Sequence, residues 1–157
     1  MTSNDHVLEK EQHINRPLKE VFEFFQRPEN LSRITPPWLH FKVQTPSPVP
    51  MHTGARIQYT IRVFGVTKHW TTKITSFNPP YEFVDEQEKG PYKVWHHTHR
   101  FEEQLAGTLV RDRVRYSVGW GLVGDFAHAL YVRRSLDQIF DYRRQAIEKI
   151  FEIKRGN

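Results

Sequence analysis

"YKVWHHTHRFEEQLAGTLVRDRVRYSV", residues 92–118, reads as two strands folded back on each other. Side chains along a strand alternate between faces. In the first run Trp95, His97, His99 and Phe101 share one face, and Val94, His96, Thr98 and Arg100 the other. Trp95 and Phe101 mark the first face as inner, so the cluster "HHTH" divides. His97 and His99 point inward and His96 points to water. In the second run Val110, Asp112, Val114, Tyr116 and Val118 form the inner face, while Arg111, Arg113 and Arg115 lie outside with Leu109 and Ser117. A tight turn near "LAG" pairs Phe101 with Val110, and the same register pairs His99 with Asp112, His97 with Val114 and Trp95 with Tyr116. A slip of one residue would turn every side chain over, so the matching of the two inner faces fixes the parity. His99 and Asp112 then become cross-strand neighbours, about 4.5–5.5 Å apart at Cβ.

The period of two extends upstream. "ARIQYTIRVFG" sets Ile57, Tyr59, Ile61 and Val63 against Arg56, Gln58, Thr60 and Arg62, and Gly65 marks a turn. "TKHWTTKITSF" returns with Trp70, Thr72 and Ile74 on the inner face, "NPP" turns again, and "YEFVDEQ" follows. Short alternating runs joined by short turns predict an antiparallel meander. At the other end, residues 7–14 alternate as a first strand. "NRPLKEVFEFFQRPENLSRITPP" changes period: Pro17 suits a first helical position, and Leu18, Val21, Phe22 and Phe25 form an apolar stripe. A second short helix is expected over 28–34, closed by Pro36 and Pro37, then a short strand in "LHFKVQT" and a proline-rich loop. Gly119, Gly121 and Gly124 separate the sheet from a long helix expected from about Asp125 to Ile153. Its stripe is Val132, Leu136, Ile139, Phe140, Ile147, Ile150 and Phe151. A curved sheet wrapping that stripe buries both apolar faces, and a cavity can remain where helix and sheet diverge.

Composition narrows the classes. The chain has 157 residues and no cysteine, which removes thiol catalysis, thiolate zinc sites and disulfides together. Residues 1–157 are expected to form one domain. Such a chain buries about 70% of its unfolded surface without needing a covalent staple. No apolar run approaches the ~18 residues of a membrane span, and the polar opening "MTSNDHVLEKEQH" lacks a signal-peptide core. A cytoplasmic protein is the expectation. The formal net charge is +5, and aromatic residues make up 13% of the chain, enough to supply a core and to line a pocket.

The order of elements resembles the START-like, helix-grip superfamily (SRPBCC). That superfamily includes the birch-pollen allergen proteins and the polyketide cyclase/dehydrase and coenzyme Q-binding groups. "INRPLKEVFEFFQRPENLSRITPP" is similar to its opening, where a strand ends in a proline and a Val-Phe helix follows. "DEQEKGPYKVWHHTHRFEE", "GTLVRDRVRYSV" and "IFDYRR" resemble a bacterial cyclase/dehydrase-like branch. The resemblance implies an α+β helix-grip fold: a curved antiparallel sheet of about seven strands around a long C-terminal helix, with two short helices after strand 1. Its members bind lipids, quinones or polyketides, some catalyse, and one toxin-like branch acts on ribosomes, so fold alone does not choose among functions. With Phe83, the resemblance also places Asp85 and Gln87 on the inner face of "EFVDEQ", although Val84 on the opposite parity is apolar too.

One further polar group belongs inside. Arg143 falls in the centre of the apolar helical stripe, between Phe140 and Ile147. A buried arginine requires partners, and Asp85 and Asp112 are the inward carboxylates. An internal cluster of Asp85, His97, His99, Asp112 and Arg143 is therefore expected, with Trp70, Trp95 and Tyr116 beside it. Four readings follow. As the polar end of an apolar cavity, these eight residues bind a hydrophobic or aromatic small molecule, with no cofactor. As a cofactor-free cyclase/dehydrase-type enzyme, His99 is general acid/base, oriented by Asp112, while Arg143 or Tyr116 polarises a carbonyl. That chemistry suits enolisation, aldol cyclisation or dehydration, because no nucleophile motif occurs. A metal on His97 and His99 lacks a third inward histidine and is not expected. Finally, the cluster is a hydrogen-bonded internal network without a cavity. On the outer face, Arg111, Arg113 and Arg115, with Arg100 nearby, raise RNA or ribosome binding as a separate possibility. No stacking aromatics interleave them, which favours a solvated sheet face.

Overall fold

The computed structural model describes residues 5–63, 65–119 and 125–153. Seven strands form one antiparallel sheet: β1 (His6–Ile14), β2 (Lys42–Val43), β3 (Arg56–Val63), β4 (Val66–Asn78), β5 (Glu82–Lys89), β6 (Val94–Gln104) and β7 (Gly107–Ser117). Their spatial order is β1-β7-β6-β5-β4-β3-β2, so the meander runs in sequence and the first strand closes against the last. Helix α1 (Leu18–Phe25), a 3-10 turn over Pro28–Asn30 and helix α2 (Leu31–Ile34) follow β1, and helix α3 (Asp125–Ile153) lies after the sheet. No described helix is long and apolar enough to cross a membrane.

The hairpin of β6 and β7 has the expected register, including His99↔Asp112, His97↔Val114 and Trp95↔Tyr116. Its turn is two residues long, between Gln104 and Gly107, which pair. Gly107 has φ +136°, and a Cβ there would collide with the Ile14 carbonyl oxygen and come within 2.8 Å of Asn15 Cα. A side chain at this position would push β1 away from the hairpin.

Two sequence expectations need correction. Pro17 caps α1 in an extended conformation (ψ 146°) instead of forming its first turn. The strand expected in "LHFKVQT" shrinks to Lys42–Val43, because Pro37–Leu39 forms a further 3-10 turn and His40 adopts a left-handed conformation that ends it. Gly121 and Gly124 lie outside the described residues. Burial also fails to sort β5, since Phe83 and Val84 are both buried.

The core sits between the concave sheet face and the helices. Phe22 of α1 packs edge-on against Phe101 and Phe83, with ring centroids 5.2 and 6.0 Å away. Ile147 and Phe151 of α3 complete this cluster. Farther along the helix, Leu136 and Phe140 cover Val114 and Tyr116. Full burial of each such side chain is worth about 1.5–3 kcal/mol. The helix is also tied to β1: Lys10 pairs with Asp137 at 3.0 Å, and Arg16 donates to the Phe151 carbonyl at 3.0 Å near the helix end.

Candidate functional site

Between these two core clusters the helix and sheet leave a cavity of about 940 Å³. Its volume is that of a small-molecule site. The inner face of β4 descends into it as Lys68, Trp70, Thr72 and Ile74, passing from exposed to fully buried. Alternation puts these four side chains on one face. Trp70 is the centre of an aromatic wall. It stacks on Tyr59 at 5.5 Å, meets Trp95 edge-on at 5.4 Å and touches Tyr92 at 5.5 Å. Tyr59 faces Trp70 because the two are paired across β3 and β4. The Trp70 indole Nε1 is buried without a hydrogen-bond partner.

The far wall carries the polar cluster. The Nε2–H of His97 donates to Asp112 Oδ1 at 2.8 Å, and the Nε2–H of His99 donates to Asp85 Oδ2 at 2.6 Å. The hydrogen bonds thus run diagonally. Although His99 and Asp112 are register partners, His99 Nδ1 lies 3.2 Å from Asp112 Oδ1 without a hydrogen bond, and Asp85 takes its proton-bearing nitrogen. Asp85 pairs with His97 in the β5–β6 register, so each carboxylate reaches the histidine two residues away from its own register partner. The two imidazoles lie against each other with centroids 3.7 Å apart, and Phe83 stacks on the outer side of His99 at 4.1 Å. Arg143 descends from α3 to Asp112 at 3.3 Å, its guanidinium over Phe25 and Phe140 at 5.2 and 5.6 Å.

Burial and charge set the protonation. Burial disfavours the ionised form of Asp112, but Arg143, the hydrogen bond from His97 and the adjacent His99 outweigh it and hold the carboxyl well below its usual range. Asp85 is lowered too, with burial overcome chiefly by its hydrogen bond to His99. The histidines separate. Burial and the neighbouring His99 charge lower His97, whereas the two carboxylates overcome burial and raise His99. The two imidazoles, side by side, are thus pushed in opposite directions, while both carboxyls are held toward the ionised form.

The cavity lining includes Trp70, Asp85, Trp95, His97, His99 and Arg143. Tyr116 packs with Tyr92 and His6, away from the lining, and Asp112 stands behind the histidines. Gln87 does not face the cavity chemistry: its amide bonds both the N–H and the carbonyl of Tyr92, bracing the β5–β6 turn. Sequence reasoning overlooked Tyr59 and Tyr92 as wall residues. Tyr59 was legible by parity opposite Trp70, whereas Tyr92 precedes its strand and carries no periodic signal.

Asp85, His97 and His99 offer one ligand atom each within a 4.8 Å group, a spacing a metal ion could accept. A metal there would have to replace the proton that His99 shares with Asp85, and Arg143 stands nearby on Asp112.

The outer face carries its arginines exposed. Arg111 pairs with Glu11 and Glu102 at 2.7 and 2.6 Å, Arg113 with Glu9 at 3.2 Å, Arg115 with Asp5 at 2.8 Å and Arg100 with Glu82 at 2.6 Å. Each arginine of the row thus has a carboxylate partner on or just before a neighbouring strand, as on a solvated sheet face.

Comparison with known proteins agrees with this architecture. The family model described as "Polyketide cyclase / dehydrase and lipid transport" matches residues 14–139. No curated protein sequence matches the chain. Among solved structures, TTHA0849 from Thermus thermophilus is similar at TM-score 0.71 and 14% identity, covering 97% of this chain and all (100%) of that one. The di-domain ARO/CYC StfQ from the steffimycin biosynthetic pathway is similar at TM-score 0.71 and 11% identity, over 98% of this chain and 53% of that protein. Ara h 8.0201 is similar at TM-score 0.64 and 16% identity, over 94% and 98%. At such identities the structures speak for the fold alone, which is the START-like helix grip. The family match covers most of the sequence, and the chain belongs to the polyketide cyclase/dehydrase and lipid transport family.

Proposed function

We propose that the protein binds a hydrophobic or aromatic small molecule in the cavity between the sheet and α3. The observation that carries this reading is the cavity itself: about 940 Å³, walled by Trp70, Tyr92 and Trp95 and ended by a hydrogen-bonded polar cluster. A core that needed only a satisfied internal network would collapse around it. The cluster gives one polar end to an otherwise apolar space, which orients a ligand without demanding that the ligand be charged there.

The test is entry of an uncharged fluorophore, N-phenyl-1-naphthylamine, which brightens in apolar surroundings. The expected result is saturable binding of one probe per chain. Ser135→Trp, which adds bulk from the helix side of the cavity, should abolish it. Absence of binding to the folded wild-type protein overturns the reading.

Proton transfer is a second reading, supported by two imidazoles in contact whose pKa values are pushed in opposite directions, His97 down and His99 up. The residues for it are His97, His99, Asp85 and Asp112. Protein-catalysed deuterium exchange beside the carbonyl of a bound aryl ketone, lost in His97→Gln with probe binding intact, would support it. Against it stands the occupation of the imidazole nitrogens: those bonded to Asp112 and Asp85 are already committed.

A further inference from the structure

The charges around the cavity are unevenly distributed. Deep inside, Asp85 and Asp112 are already bonded by His99, His97 and Arg143. At the mouth the described residues show no such pairing. Lys68 and Arg62 stand at the β3–β4 hairpin and Arg134 on α3, all exposed and all part of the cavity lining. None of the three has a carboxylate partner among the described residues, in contrast to the arginines of the outer sheet face. Asp85 is the sole acidic group among the described lining residues, and it lies at the deep end. The mouth is also apolar: Trp38, Val66 and Tyr131 are more than half exposed there (52, 54 and 55%).

We propose that the ligand of this cavity is an amphipathic anion, a carboxylate- or phosphate-bearing molecule whose charged end rests at the mouth on Arg62, Lys68 and Arg134. This rests on the reading of the cavity as a binding site for an apolar molecule. The polarity of entry follows from the charges. An anion at the deep end would face Asp85 and Asp112 with their counter-charges already spent, whereas at the mouth it meets unpaired cations. Attraction there is modest per pair but cumulative, and it is sensitive to salt. The apolar body then runs down β4 past Trp70. Lys68 and Ile74, the register partner of Asp85, are six residues apart, which corresponds to about 20 Å of strand. The ligand is therefore elongated, with a body that spans the aromatic wall.

Displacement of bound N-phenyl-1-naphthylamine by dodecanoate and by 1-dodecanol tests this. Dodecanoate should compete better, and Lys68→Glu/Arg134→Glu should weaken dodecanoate about tenfold while leaving dodecanol and the probe unchanged. Retained probe binding shows that the variant folds. Equal competition by acid and alcohol, or equal weakening of both in the variant, overturns the inference while leaving the binding reading intact. Failure of the probe to enter the wild-type protein overturns both. A vesicle arm separates a free acid from a lipid surface. Sedimentation with phosphatidylglycerol but not phosphatidylcholine vesicles, without acid preference in the displacement assay, assigns the cations to a membrane and overturns the inference.

Discussion

Strand β7 carries two arrays of charge one residue apart. Asp112 faces inward, bonded to His97 and Arg143, while Arg111 and Arg113 face outward and pair with Glu11, Glu102 and Glu9. The chemistry is nearly the same on both faces, but the surroundings differ. Outside, water stabilises each ion whether or not its partner is present, and the pairs add little. Inside, each ion depends on its partners, because removal of one strands the others in a medium that solvates them poorly. Burial, more than the presence of an ion pair, decides which residues the fold cannot lose.

The largest expected effect comes from breaking the inner array. Asp112→Asn should destabilise the protein by about 3–5 kcal/mol in urea unfolding, since it leaves the buried Arg143 without the carboxylate it pairs with. Arg143→Leu should also destabilise, and the double variant should recover part of the loss, because the two residues act as one unit. Additive losses would show that Asp112 and Arg143 are not energetically coupled.

A medium effect lies in the pH dependence of stability, where the two histidines pull in opposite directions. His99 is raised above its ordinary value of 6.5, so its proton stabilises the fold fully below that pH, and the contribution is lost as pH rises through the folded pKa. His97 is lowered below 6.5, so the unfolded chain takes up its proton first and stability falls as pH drops through that region. Asp85 and Asp112 add a further loss in acid, below their ordinary value of 3.8. Urea midpoints should therefore peak near the ordinary histidine pKa and fall on both sides. His99→Gln should remove the alkaline decline; its persistence would assign that decline to another group.

The smallest effect is expected outside. Arg113→Ala should change stability by no more than about 1 kcal/mol, and a double-mutant cycle with Glu9→Ala should give a coupling within the same bound. A larger coupling would mean that the outer row acts as a network, which would narrow the contrast between the two faces.

The hairpin explains how much of this was readable from residues alone. Trp95 and Phe101 marked one face of β6, and that mark decided which histidines enter the core. Arg143 was readable because a cation in an apolar stripe demands a carboxylate. What could not be read was the crossing of the bonds, with His99 turning to Asp85 and His97 to Asp112. Parity assigns a face but not a rotamer, and three strands had to come together before either imidazole could choose. The ion pairs of the outer arginines were out of reach for the same reason. Their partners Glu9, Glu11 and Asp5 are a hundred residues away in the chain and become neighbours only when β1 closes on β7.

The sequence by itself determined the order of elements, the inner and outer faces and the inventory of buried charge, because alternation and helical period are local consequences of backbone geometry. Only the tertiary structure decided how large the cavity is, which lining cations have no carboxylate partner among the described residues, and which carboxylate each histidine bonds. Those depend on distances between segments remote in the chain, and electrostatic energies in a poorly solvating interior turn on such distances.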